Sequence, residues 1–89
     1  MEVSEEMAIV NSLGMHLRPA QQLVQVVLKF SCDVNISKDG HQVNAKSIMG
    51  LLTLAAACGT RLKIVCRGDD AQEAIDAVRE LVESGFGEE

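Results

Sequence analysis

The chain has 89 residues and a mass of 9.6 kDa. Because domains usually hold about 100–150 residues, we predict a single domain over residues 1–89. Its 47% hydrophobic and 24% charged residues are typical of a globular protein. The net charge of −5 and the presence of only two aromatic residues, Phe30 and Phe86, argue against a nucleic-acid surface and against a basic membrane-binding face.

The cysteines and the N-terminal residues indicate the cellular location of the protein and whether it holds a structural metal. Cys32, Cys58 and Cys66 are odd in number and form no CxxC pair, which is a poor basis for a disulfide framework or a zinc site. We expect buried thiols in a reducing cytosol. The acidic start, MEVSEE, lacks the features of a signal peptide, and no apolar run approaches the roughly 20 residues that span a bilayer. We therefore expect a cytoplasmic protein without a metal or cofactor.

Hydrophobic periodicity predicts seven elements. Alternating apolar and polar residues indicate half-buried strands, and apolar residues at i, i+3, i+4 and i+7 indicate helices that bury one face. Asp39 and Gly40 supply the positive φ that a two-residue hairpin turn requires. The predicted elements, in chain order, are strand 7–10, helix 20–30, strand 34–36, strand 42–44, helix 48–54, strand 62–66 and helix 71–82.

Capping residues predict where the later helices begin and end. Ser47 is placed as the N-cap of the second helix, for which an extension up to Gly59 is one alternative. Asp70 and Glu73 resemble a capping box at the start of the third helix. Residues 86–89 are expected to form a loose tail.

The element order is β-α-β-β-α-β-α, without internal repeats or linkers. Alternating strands need one covered and one solvated face, which favours an antiparallel sheet with helices on a single side. We predict an α/β (α+β) fold: an open-faced β-sandwich with a four-stranded antiparallel sheet and three helices on one face.

The segment at residues 14–20, GMHLRPA, places a histidine at the mouth of a helix. A helix N-terminus offers unpaired N–H groups and the positive end of a dipole, so it suits a phosphate, and Arg18 adds a forked donor. Pro19 falls in the first turn, where a missing N–H is tolerated. A neutral His16 imidazole at this position can act as a nucleophile. The alternative is a surface histidine in a loop before a helix.

The segment at residues 44–50, NAKSIMG, is the second candidate. Helix capping alone suffices to explain Ser47, and the functional alternative is a phosphorylation site that adds roughly −2 of charge. The apolar side chains that follow cannot all face inward, so one or two could form a docking patch, with core packing as the alternative. These side chains belong to Ile48, Met49, Leu51 and Leu52.

Together the two segments resemble the HPr family, the histidine-containing phosphocarriers of the bacterial phosphoenolpyruvate-dependent phosphotransferase system. Segment 14–20 is similar to the family's Gly-Leu-His-Ala-Arg-Pro-Ala, and segment 44–50 is similar to its regulatory-serine segment. The resemblance covers residues 3–82. It implies a single HPr-like domain with the fold predicted above.

The resemblance also implies roles for individual residues. His16 would accept a phosphoryl group on Nδ1 from Enzyme I, itself charged by phosphoenolpyruvate, and pass it to a histidine of Enzyme IIA. Arg18 would stabilise that group, and Ser47 would be the target of the ATP-dependent HPr kinase/phosphorylase. Phosphorylated Ser47 would hinder docking, because the partners present acidic surfaces. The expected docking residues are Leu17, Lys46, Ile48, Met49 and Leu52.

Such a protein is a stoichiometric carrier and not an enzyme, and the Enzyme IIA that it serves can belong to a sugar or to a nitrogen pathway. We expect a monomer that binds neither nucleic acid nor membrane. Three features depart from the family pattern. Leu17 replaces a small residue beside His16, and Ala55 stands where glycine is usual, so the second helix is expected to end differently. Gln25 and Leu28 occupy positions that carry lysine in some members, which makes the docking face more apolar and less basic.

Two alternatives remain. One is a regulatory binding protein that acts through phosphorylated Ser47 on a transcription factor or kinase, although such family members lack the active histidine. The other is an unrelated module of similar βα pattern that binds metal ions or RNA, against which the missing CxxC pair and the scarcity of aromatic residues argue.

Overall fold

The computed structural model describes residues 1–88, and within them the predicted order of strands and helices is confirmed. A short 3₁₀ helix follows the last α-helix. The elements are β1 (Glu2–Ala8), α1 (Leu17–Val27), β2 (Asp33–Lys38), β3 (His41–Asn44), α2 (Ile48–Thr53), β4 (Arg61–Arg67), α3 (Ala71–Glu83) and η1 (Gly85–Gly87).

The four strands form one open antiparallel sheet, as predicted. Their spatial order is β1-β4-β2-β3. Alternate side chains of β2 and β4 are fully buried on one face, where they meet the apolar sides of the helices. Ile36 lies opposite Ile64, and Val34 opposite Cys66. Helix α3 packs on β1 and β4, and α1 packs on both α2 and α3. No helix within residues 1–88 has the length and hydropathy to cross a bilayer.

Strand β1 begins at Glu2, five residues earlier than the periodicity predicted. Two of its three exposed positions, Glu2 and Glu6, are acidic and pair with arginines of β4 across the strand pair. Arg67 Nε donates to Glu2 Oε1 at 2.6 Å, and Arg61 Nε donates to Glu6 Oε1 at 3.3 Å. Opposite charges facing each other on neighbouring strands stabilise a sheet, so an acidic sequence that favours no strand in isolation is accommodated here.

The hairpin between β2 and β3 has the predicted turn. Asp39 and Gly40 have φ values of 51° and 83°. Two consecutive left-handed residues make a type I′ turn, whose twist matches that of the flanking strands.

The capping box predicted at the start of α3 is wrong. Asp70 is the N-cap, but its side chain makes no capping bond. Its carboxylate instead accepts the backbone N–H of Ser31 at 2.8 Å and that of Cys32 at 2.9 Å. The Ser31 bond is the main reason that the pKa of Asp70 is lowered. Asp70 therefore ties the start of α3 to the segment that enters β2.

The prediction that the cysteines are buried is confirmed at two of three positions. Cys32 and Cys66 are buried, whereas Cys58 is exposed in the loop before β4. Burial raises the pKa of the Cys66 thiol to about 12 and also raises that of Cys32. Neither buried thiol is therefore reactive at neutral pH.

The loose tail predicted for residues 86–88 is wrong, and Glu89 lies outside the described residues. The chain forms the 3₁₀ turn η1, in which Phe86 is fully buried and is the largest of the fully buried side chains. Phe86 adopts a left-handed φ of 57° between two left-handed glycines. Burial of an aromatic ring offsets the cost of this backbone conformation.

Helix α2 ends earlier than its possible extension to Gly59. Leu54 caps the helix, and Ala55 takes a left-handed φ of 50°. This is the position where a glycine is favoured at a helix end.

We expect replacement of Ala55 by glycine to stabilise the protein by roughly 0.5 kcal/mol. Relief of the left-handed strain is worth about 1 kcal/mol, and the greater entropy of the unfolded chain offsets part of it. Urea denaturation of the variant measures the gain. Ala57, which has no positive φ, provides the matched control, and Ala57→Gly is expected to lower stability. A less stable Ala55→Gly variant would contradict the prediction.

Candidate functional site

His16 is the N-cap of α1. Its backbone is extended, with φ −96° and ψ −170°, and its carbonyl accepts the N–H of Ala20 at 3.1 Å. The His16 side chain makes no capping bond. By helix geometry the N–H groups of Leu17 and Arg18 have no acceptor within α1, and Pro19 has no N–H. The ring therefore stands beside two backbone donors at the positive end of the helix dipole, an arrangement that suits an anion.

The loop before His16 is fixed against the loop that follows α2. Met15 N donates to Ala56 O at 2.8 Å. Gly14 has φ 72°, and a Cβ at this position would clash with the Ala56 carbonyl oxygen. Only glycine fits both the left-handed backbone and this close approach. The loop therefore holds His16 at a defined position at the helix end.

Two further residues, Asn11 and Glu88, lie around His16. Neither of them was identified from the sequence. The His16 Nε2 atom lies 2.8 Å from Glu88 Oε2 and 3.1 Å from Glu88 Oε1. Asn11, which is fully buried, donates from Nδ2 to Glu88 Oε1 at 3.0 Å and to Gly14 O at 2.8 Å. Since both neighbours of Nδ2 are acceptors, they fix the orientation of the Asn11 amide.

The carboxylate of Glu88 is ionised at neutral pH. The hydrogen bond with His16 is the main reason that the pKa of Glu88 is lowered, with further contributions from the Asn11 hydrogen bond and from the positive charge of Arg18. An ionised carboxylate is an acceptor only. It therefore accepts a hydrogen bond from Nε2–H of His16. In the neutral ring with the proton on Nε2, the lone pair is on Nδ1.

Residue type alone would not have identified Glu88 and Asn11. Glu88 is 72 residues from His16, in a segment rich in glycine and glutamate. The available signal was the Gly85-Phe86-Gly87 sequence. One of only two aromatic residues in the chain, between two glycines, indicates an anchored turn and not a solvated tail.

Helices α1 and α2 lie side by side and run in opposite directions. The end of α2 is next to His16, through the Ala56 carbonyl described above. The start of α2 is at the other end of α1, where Lys46 Nζ donates to Phe30 O at 3.2 Å. Since the 11 residues of α1 span about 16 Å, His16 and Ser47 lie at opposite ends of the helix pair.

The same geometry distributes the predicted docking residues along the pair. Arg18 and Leu17 lie in the first turn of α1, both exposed, whereas Lys46 lies at the opposite end and contacts a backbone carbonyl. Met49 is 73% exposed and Leu17 is 53% exposed. Ile48 and Leu52 are half-buried and pack against the core.

Ser47 is the N-cap of α2, as predicted. Its Oγ accepts the N–H of Gly50 at 3.0 Å, and its side chain is half-buried at the edge of the α1–α2 pair. Helix capping therefore suffices to explain a serine at this position.

Comparison with known proteins identifies the family. The model of the PTS HPr component phosphorylation site matches residues 3–84. The chain belongs to the HPr family. The Phosphocarrier protein HPr of Xylella fastidiosa strain Temecula1 is 40% identical over 87 residues, which are 98% of each chain.

Two further relatives of the HPr family match over nearly the whole chain. The crystal structure of HPr-C-His from Thermoanaerobacter tengcongensis superposes with a TM-score of 0.94 and 45% identity, and the alignment covers 98% of both chains. The HPr-like protein Crh of Bacillus subtilis is 40% identical over 81 residues, covering 91% of this chain and 95% of that protein. The family resemblance, which rested on the two sequence segments, and the fold, which was predicted from periodicity, are both confirmed.

Proposed function

We propose that this protein is a cytoplasmic phosphocarrier that accepts a phosphoryl group from phospho-Enzyme I on Nδ1 of His16 and passes it to Enzyme IIA. The observation that carries the proposal is the position of His16. Its ring stands at the N-terminus of α1, with the side chain 37% exposed and Nε2 bound to a carboxylate. Membership of the HPr family supports the same assignment.

The transfer requires little more than positioning and charge. Backbone N–H groups at the start of α1 would bind the phosphoryl oxygens, and the exposed Arg18 in the same turn can donate two hydrogen bonds at once. The structure offers a transfer point at the protein surface. We therefore propose a carrier that is used stoichiometrically, and not an enzyme with its own turnover.

Intact-mass analysis after incubation with phosphoenolpyruvate, Mg²⁺ and Enzyme I of the same organism tests the proposal. We expect a single, acid-labile phosphate adduct. The matched control is His41→Ala, because His41 is the other histidine and lies at the start of β3, where its Nε2 is 3.0 Å from Thr53 Oγ1. The control should carry the same adduct. Absence of an adduct on the parent protein, with an Enzyme I shown to be active, would overturn the proposal.

We also propose that phosphorylation of Ser47 by an HPr kinase/phosphorylase weakens docking without blocking His16. The two residues lie at opposite ends of the α1–α2 pair, so a phosphate at Ser47 acts on the partner and not on the ring. Exposed Met49 and Leu17 are the apolar contacts proposed for Enzyme I and Enzyme IIA.

Replacement of Ser47 by aspartate is expected to raise the KM for phospho-Enzyme I by about tenfold with little change in kcat, since added negative charge opposes an acidic partner. Aspartate is a good N-cap, so the fold should be retained. Ser47→Asn is the control, because it caps the helix without charge and should behave as the parent. Equal KM values for both variants would contradict the regulatory role of Ser47.

The second candidate function is a regulatory binding protein that acts mainly through phosphorylated Ser47. Similarity to the HPr-like protein Crh favours it. The presence of His16 favours the carrier. Labelling from ATP and a kinase at Ser47, without labelling from phosphoenolpyruvate, would support this second function.

A further inference from the structure

We propose that Glu88 is a positioning residue for His16: its carboxylate holds the Nε2 proton, so that Nδ1 faces the incoming phosphorus, and stabilises the charge that the ring gains on transfer. The inference rests on the proposed function, because it concerns the same histidine. The segment that carries Glu88 follows the last helix and contains neither of the two motifs that identify the family.

The contact has the geometry of a charge-assisted hydrogen bond. The Nε2 atom of His16 faces both carboxylate oxygens of Glu88, at 2.8 and 3.1 Å. The Glu88 side chain is only 15% exposed, against 37% for His16. Shielding from water strengthens an ionic hydrogen bond, so this pair is more effective than an ion pair on an open surface.

A second hydrogen bond sets the direction of the carboxylate. The Nδ2 atom of the fully buried Asn11 donates to Glu88 Oε1 at 3.0 Å. The same amide nitrogen holds Gly14 O at 2.8 Å, in the loop that positions His16. One buried side chain therefore fixes both the histidine loop and the carboxylate that orients the ring.

The backbone after α3 carries Glu88 to this place. Gly85 has φ 70° and follows Ser84, the C-cap of α3. A Cβ at Gly85 would lie 3.8 Å from Asn11 Cβ and from Val10 Cγ2, so the turn lies against the loop before His16. The next residue, Phe86, is fully buried and anchors the turn two positions before Glu88.

The Nδ1 lone pair of neutral His16 attacks phosphorus, the N–P bond forms, and the bond between phosphorus and the donor atom of Enzyme I breaks. The electron pair of the broken bond stays on the donor. The proton on Nε2 remains in place, so the ring becomes a phosphoimidazolium whose positive charge lies beside the Glu88 carboxylate. Transfer to Enzyme IIA reverses these changes at His16.

The negative charge of Glu88 also repels the phosphoryl group, but the distances favour attraction. The carboxylate contacts Nε2 at 2.8 Å, whereas the phosphorus binds on the other side of the ring, at Nδ1. Coulomb energy falls with distance, so the carboxylate acts more strongly, per unit charge, on the ring that it contacts than on the phosphoryl group. Arg18 compensates for the charge of the phosphoryl oxygens.

Stopped-flow or quench measurement of phosphoryl transfer from phospho-Enzyme I to Glu88→Gln tests the inference. The amide keeps the size of the side chain and removes its charge. We expect kcat to fall by about tenfold with an unchanged KM, the effect of losing one charge-assisted hydrogen bond. Glu83→Gln is the matched control, since Glu83 is an exposed acid at the end of α3 and its loss changes net charge equally.

Ring ¹⁵N resonances of His16 provide a readout that a purely structural role would not move. In the parent protein we expect the proton on Nε2, with the shift of a hydrogen-bonded N–H, and in Glu88→Ala that hydrogen-bond shift should be lost. A kcat equal to that of the parent, the same loss in Glu83→Gln, or a higher KM at constant kcat would overturn the inference. Failure of the parent protein itself to be labelled at His16 would instead overturn the proposed function.

Discussion

Replacement of His16 by alanine is expected to abolish phosphoenolpyruvate-dependent phosphorylation and to leave the fold intact. No other group at the start of α1 combines a nitrogen lone pair with the anion-binding geometry of the helix end. The His16 side chain makes no capping bond, and the backbone contact that begins the helix, from Ala20 N to His16 O, is retained in the variant. The hydrogen bond from His16 to Glu88 is lost in the variant, so we expect a loss of stability of about 1–3 kcal/mol, which leaves the protein folded.

Intact mass and the urea midpoint, measured on the same preparation, check both parts of this result. A folded, unlabelled His16→Ala protein would place the phosphoryl group on His16. Labelling of the variant at the parent rate would mean that another residue accepts the group. A variant that is unfolded gives no answer on labelling, so His16→Gln, which retains a polar side chain of similar length, is measured alongside it.

Periodicity predicted the architecture because most of the core is periodic. The buried residues of strands β2 and β4 fall at alternate positions, and the buried positions of α1 and α3 recur at helical spacing. The Asp39-Gly40 turn was also predictable, since few residues other than glycine, asparagine and aspartate adopt a left-handed backbone readily.

Local rules failed where a distant partner decides the structure. Asp70 precedes α3 as a helix cap should, but its carboxylate accepts from Ser31 and Cys32, which are nearly 40 residues away. The start of β1 is acidic and lacks a strong strand preference, yet Arg61 and Arg67 pair with it across the sheet. In each case the competing partner is visible only after the fold has formed.

In the candidate site, too, some residues were predictable from local sequence and others were not. His16, Arg18 and Ser47 stand at helix ends, and their sequence context alone identified them as candidates. The partners that surround His16 come from the loop after β1 and from the turn after α3, so no local pattern joins them. Glu88 in particular required that Phe86 be recognised as a core residue, although it follows the last predicted helix.

Replacement of Phe86 by alanine is expected to lower the free energy of unfolding by about 3–5 kcal/mol, a large share of the roughly 5–15 kcal/mol that stabilises a small domain. Phe86 is the largest fully buried side chain within residues 1–88. Phenylalanine and alanine both carry a Cβ, so the strain of the left-handed φ of 57° is common to both and the difference reports burial. Urea denaturation followed by far-ultraviolet circular dichroism measures it.

Phe86→Leu is the matched control, because it keeps most of the buried volume and should cost less than about 1.5 kcal/mol. If Phe86→Ala lost less than that control, the turn would not be an anchor. The variant also tests how Glu88 reaches His16. Once the turn is released, Glu88 no longer meets the ring, so Glu88→Gln should have no further effect on kcat in the Phe86→Ala background. A Glu88 effect that persists at full size in the double variant would show that Asn11 alone suffices to hold the carboxylate in place.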